Sequence, residues 1–161
     1  NWNACGVVTL STAFKPIFES LEILFDSFDI DDALLKEQTL DEAWFKDYSN
    51  QRIVNSFLFN YIKIQDKLGA NLFRKLLFSL REINNENMAM IDILNRLEKL
   101  EIIESVADWD RLREIRNVIA HEYPSNIEER LENIGLALSG YVQIKRFYAN
   151  IQQYAQLKGI V

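Results

Sequence analysis

Apolar residues recur every three to four positions along almost the whole chain, a spacing that suits helices and does not suit strands. Phe14, Ile17, Phe18, Leu21, Leu24, Phe25 and Phe28 form one such stripe. Trp44, Tyr48, Val54, Leu58, Tyr61, Ile62 and Leu68 form a second, and Leu72, Phe73, Leu76, Leu77 and Leu80 a third. Met90, Ile91, Leu94, Leu97 and Leu100 follow, then Trp109, Leu112, Ile115 and Ile119, then Leu131, Ile134, Leu138, Tyr141, Tyr148 and Ile151. Only two of the 161 residues are proline, and no hairpin signal, internal repeat or low-complexity tract interrupts the pattern. The expected architecture is all-α: one domain over residues 1–161, a single bundle of about five to six helices with short connections.

Local signals place the helix ends. Pro16 is expected in a first turn capped by Ser11 or Thr12, where its missing N–H costs little. Asp29-Ile30-Asp31-Asp32 reads as an acidic connector, so residues 1–40 are expected to hold one helix and that connector. Thr39 with Glu42 reads as a capping box opening a long helix. Gly69 marks a stop or a bend. Asn84 to Asn87 reads as a turn, and Asp108 as the N-cap of the fifth helix. Pro124 disfavours helical geometry at Tyr123, which ends that helix near Glu122. Ser125 with Glu128 is a second capping box.

Composition removes several function classes. The net charge of −6 argues against a broad nucleic-acid binder held by counterion release, though not against a local phosphate site. One histidine and one cysteine, Cys5, cannot build a His/Cys zinc site in a single chain, and no disulfide can form within it. No metal and no cofactor are expected. The lone cysteine fits a reducing cytoplasm. No apolar run reaches the ~18 residues of a membrane span, and residues 1–10 lack the pattern of a secretory signal.

The chemistry concentrates in Arg116-Asn117-Val118-Ile119-Ala120-His121-Glu122-Tyr123, which holds the only histidine. Arginine offers a permanent charge and a planar fork suited to phosphate, and histidine exchanges a proton near neutral pH. At about 100° per residue, Leu112, Ile115 and Ile119 set the core direction and Arg116 lies beside that stripe. His121 points away from the core, roughly 140° from Arg116, with Ala120 and Asn117 between them. The plain alternative is an idle surface histidine. Its position in the last helical turn favours the imidazolium, and so a proton donor or phosphate contact. Arg113, next around the helix, is a further candidate for a phosphate contact. Against that stands the reading it shares with Arg111, a solvated charge among Asp108, Asp110, Glu114 and Glu122. Asn117 can equally cap its own helix, and Tyr123 can equally pin the turn as a core aromatic. Phe57, Phe59, Phe73 and Phe78 read as core and interface, not as a base-stacking platform.

Arg116-Asn117, three residues, His121, one residue and Tyr123 resemble the signature of the HEPN superfamily. With the trailing tyrosine the motif is similar to that of the HepT-like toxins, which pair with a small nucleotidyltransferase antitoxin. The preceding Leu97-Glu98-Lys99-Leu100, Trp109-Asp110 and Leu112 to Asn117 also resemble that family. The resemblance covers residues 50–155, an expected HEPN-like core, and leaves the first forty unmatched. It implies metal-independent RNA cleavage. Arg116 and His121 match the catalytic pair, and Asn117 the polar residue that follows the arginine. Tyr123 matches the tyrosine that the nucleotidyltransferase modifies with AMP. The acidic net charge departs from what an RNase would be expected to carry.

Metal-free RNA cleavage needs the 2′-hydroxyl to lose a proton, the 5′-oxygen to gain one, and the phosphorane charge to be stabilised. One histidine does not readily serve as both acid and base. A two-fold axis beside Ala120 would bring two His121 and two Arg116 to one cleft, so a homodimer with a composite site is expected. Two alternatives stand beside the ribonuclease toxin. One is a non-catalytic helical partner that binds or presents nucleotide substrate to a nucleotidyltransferase. The other is a structural bundle whose motif arose by chance.

Overall fold

The computed structural model describes residues 2–121 and 124–160, with the backbone alone for residues 2–12. It is an all-α helical bundle, without strands among the described residues. In chain order the elements are α1 (Trp2–Lys36), the short α2 (Glu42–Lys46), α3 (Tyr48–Asp66), α4 (Arg74–Ser79), α5 (Met90–Lys99), α6 (Val106–His121) and α7 (Ile127–Leu157). A π-helical stretch, Lys67–Phe73, joins α3 to α4, so Tyr48 to Ser79 is one continuous rod. This rod lies against α1, α6 and α7, while α5 covers the start of α6 and the π-helical stretch.

The apolar stripes converge on one core. Phe28 from α1 sits between Phe57 of α3, at 4.2 Å between ring centroids, and Tyr141 of α7, at 3.8 Å. Contacts of this kind add about 0.5–1.5 kcal/mol each beyond the area they bury. Two glycines permit close packing. A Cβ on Gly140 of α7 would lie 2.5 Å from the Tyr61 hydroxyl, and one on Gly69 would lie 2.9 Å from the Trp109 ring.

Several helix ends differ from the sequence reading, each for a physical reason. Pro16 lies inside α1, well past any first turn at Ser11 or Thr12. It is exposed, and the buried Phe14, Ile17 and Leu21 around it carry the helix through. The acidic run Asp29 to Asp32 is helix, not connector, because its carboxylates meet donors. Asp29 accepts from Tyr141 Oη (3.0 Å) and Lys145 Nζ (3.2 Å), Asp31 from Ser56 Oγ (2.7 Å), and Asp32 pairs with Lys36 (2.8 Å). Thr39 and Glu42 do not open one long helix. Asp41 caps the five-residue α2, and Asp47 then breaks the chain and caps α3 through the Ser49 N–H.

Gly69 is not a stop: the rod passes through it as π-helix, pressed against Trp109. α6 begins at Val106, before Asp108, because Glu98 accepts from the Val106 N–H and Ser105 Oγ from the Asp108 N–H. Asn126, not Ser125, caps α7 by accepting from the Glu129 N–H at 2.8 Å. Phe57 and Phe73 are core, whereas Phe59 and Phe78 are exposed.

Candidate functional site

The first part of α6 fixes the helix in place. Trp109 is buried against Phe73, 4.7 Å between centroids, and Phe147, 6.4 Å. The buried Tyr61 hydroxyl donates to the Leu112 carbonyl at 3.1 Å, tying α3 to the middle of α6. Burial raises the Tyr61 phenol pKa well above its ordinary value, so the hydroxyl keeps its proton and stays a donor. Leu112, Ile115 and Ile119 are buried, which confirms the core direction read from their spacing.

With that face fixed, the motif residues take their places. Asn117, Ala120 and His121 are exposed, and His121 is the last described residue of α6. Arg116 is half-buried and turns toward α3. Its Nε donates to Asp66 Oδ1 at 3.0 Å and its Nη2 to Asp66 Oδ2 at 3.1 Å. The hydrogen bond to Asp66 raises the arginine's pKa further, with partial burial opposing it and the carboxylate charge adding to it. Arg113 lies apart from this pair. It bridges to Asp110 at 3.2 Å one turn back, with both side chains largely exposed, as expected for a solvated charge. Arg111 Nη2 donates to Ser139 Oγ on α7. Tyr123, the expected AMP acceptor, lies outside the described residues.

A hollow of about 230 Å³ opens beside Ala120, between α3, the end of α6 and the start of α7. Its walls are mainly apolar: Phe45, Val54, Leu58, Phe59, Ile62 and Ile119, with Arg130 and Asn133 at its polar side. Two cations sit near its aromatic rings, Lys63 at 5.2 Å from the Phe59 centroid and Arg130 at 5.6 Å from that of Phe45. Ala120 is one turn beyond Arg116, and Ile62 is one turn before Asp66. The hollow and the Arg116–Asp66 pair are therefore successive levels of one α3/α6 groove.

The motif residues thus share one helix end but not one contact. Arg116 faces the groove and His121 faces outward, with no hydrogen bond joining them among the described residues. Among these residues no cluster of three or more His, Cys, Asp or Glu is placed to hold a metal. Nor is any helix long and apolar enough to cross a membrane. Asp66 escaped the sequence reading. It lies 50 residues before Arg116, and its only local signal is the polar Gln65-Asp66 pair within an apolar helical pattern. No family model, no curated protein and no solved structure matches the chain.

Proposed function

We propose that the open end of α6 is half of a metal-independent endoribonuclease site, completed by a second copy of the chain. The observation that carries this reading is the divergence of Arg116 and His121: a guanidinium fork paired with Asp66 in a groove and an outward imidazole near the helix end. In a homodimer with its axis beside Ala120, one His121 takes the proton of the RNA 2′-hydroxyl. The other gives a proton to the departing 5′-oxygen. The Arg116 guanidinium balances the charge on the phosphorane, and Asn117 adds a polar group beside it. Arg113, tied to Asp110, stays a peripheral phosphate contact at most.

The HEPN-like signature extends this to a toxin of the HepT-like kind, acting in the cytoplasm and paired with a nucleotidyltransferase antitoxin. Transfer of AMP to Tyr123 would add a negative phosphate to the motif, in competition with RNA. A second reading draws support from the net charge of −6, which disfavours RNA. In it the same groove presents nucleotide substrate to the nucleotidyltransferase without cleaving anything.

The test is cleavage of single-stranded RNA, with a chelator present, by the wild-type chain and His121→Ala. We expect the variant to lose at least about 100-fold in rate while folding normally. Equal rates would refute the ribonuclease reading. An inactive wild type that still binds nucleotide would favour the second reading.

A further inference from the structure

We infer that Asp66 is a positioning residue for Arg116: it holds the guanidinium side-on and so aims its end-on edge at the substrate phosphate. This rests on the reading of Arg116 as the phosphate-binding group. The guanidinium carries five N–H donors in a fixed plane. Asp66 takes one from Nε and one from Nη2, at 3.0 and 3.1 Å, through its two oxygens. The edge formed by Nη1 and the second N–H of Nη2 lies outside this pair, and it is the edge that matches two oxygens of a phosphate. With both partners of the side-on pair in place, the plane and the direction of that second edge are set before any ligand arrives.

Three further observations favour a positioning role over a simple structural tie. The pair is only half-buried, with side-chain exposures of 27% for Arg116 and 45% for Asp66, so it is open to a ligand. The backbone on both sides is fixed by other contacts, the Tyr61 bond to Leu112 on one and the π-helical stretch packed on Trp109 on the other. The groove level next to it is mainly apolar, so Asp66 is the carboxylate that orients this arginine across the α3/α6 contact. Removing an acidic group should by charge alone strengthen RNA binding, so positioning and repulsion predict opposite signs for the same substitution.

The experiment compares the wild-type full chain with Asp66→Ala, Asp66→Glu, Arg116→Ala and the Asp66→Ala/Arg116→Ala double variant. Folding is checked by circular dichroism. For RNA cleavage, Asp66→Ala should lower kcat between about 10- and 100-fold with little change in KM, as expected for a misdirected contact. Asp66→Glu should recover part of the loss, and the double variant should be no worse than Arg116→Ala alone. The NMR signal of the Arg116 Nε–H should move in Asp66→Ala, and that reading does not depend on any activity. Wild-type or faster cleavage by Asp66→Ala, or losses that multiply in the double variant, would overturn the assignment.

If the wild type cleaves no RNA, the ribonuclease reading fails by itself. The positioning is then decided by affinity for a 2′-O-methyl RNA oligonucleotide. Weaker binding in Asp66→Ala, absent on the Arg116→Ala background, upholds it. Unchanged or tighter binding ends it.

Discussion

From Val106 to Ile115, α6 is enclosed along its inner face: Trp109 lies among Phe73, Phe147 and the bare backbone of Gly69, and Tyr61 bonds the Leu112 carbonyl. From Arg116 to His121 the same helix keeps one buried side chain, Ile119, and turns Asn117, Ala120 and His121 outward. The contrast separates two tasks along one helix. The enclosed half sets the position and rotation of the helix. The open half inherits that precision with only Ile119 buried, so its polar groups can meet a ligand or a second chain.

Damage to the enclosed half should destabilise the chain strongly, while changes at the exposed Asn117, Ala120 and His121 should leave stability nearly untouched. The largest effect is expected for Trp109→Ala, a loss of about 3–5 kcal/mol in denaturant unfolding. A loss under about 1 kcal/mol would break the comparison. Gly140→Ala comes next. Its new Cβ would sit 2.5 Å from the Tyr61 hydroxyl and 2.8 Å from its ring, displacing the group that holds Leu112. Overpacking of this kind costs about 1–3 kcal/mol, and a Tyr61→Phe background should lessen it.

Alkali probes the same contact more gently. Burial raises the Tyr61 pKa above the ordinary 10.0, so above that pH the unfolded chain releases a proton that the folded chain keeps. Stability from this group is full below pH 10 and falls as pH rises, by about 1.4 kcal/mol per unit, until the folded-state pKa is reached. Tyr141 and Tyr148 shift the same way, first through burial and then through their bonds to Asp29 and Glu22. Denaturant midpoints should therefore drop steeply above pH 10, and Tyr61→Phe should flatten the drop. The smallest effect lies outside α6. Glu101, just past the end of α5, has a φ of 60°, a conformation that suits glycine. Glu101→Gly should raise stability by about 0.5–1 kcal/mol, read as a higher melting temperature.

The all-α fold and most of the core were legible because burial leaves a 3.6-residue imprint, as at Leu112, Ile115 and Ile119. The imprint is coarser at stripe edges, where Phe59, Ile91 and Leu131 are exposed. Helix ends were less legible: the capping boxes read at Thr39 and Ser125 gave way to the nearby caps Asp41, Asp47 and Asn126. The two C-terminal caps at Arg81 and Glu101 use the left-handed conformation without glycine. In both, the next N–H reaches five residues back, Glu82 to the Leu77 carbonyl and Ile102 to that of Leu97, and no residue type announces it. Gly69, the residue that did look like punctuation, is bare because Trp109 needs the space. On α6 the outward direction of His121 followed from angle alone. The partner of Arg116 did not, since a contact between chain-distant residues leaves no periodic trace.

The π-helical stretch from Lys67 to Phe73 has a consequence for how this rod is phased. A π-turn absorbs one residue more than an α-turn, so the helices on either side are offset by about one residue, roughly 100° of rotation. The offset lets a single rod serve two directions. Asp66, on the near side, faces Arg116, while Leu76 and Leu77 beyond it keep their place in the core. In an uninterrupted α-helix Leu77 would point well away from the buried stripe of Phe57, Tyr61 and Ile64 that precedes the slip. The groove's polar level and the core below it are thus kept in step by a one-residue slip in the backbone.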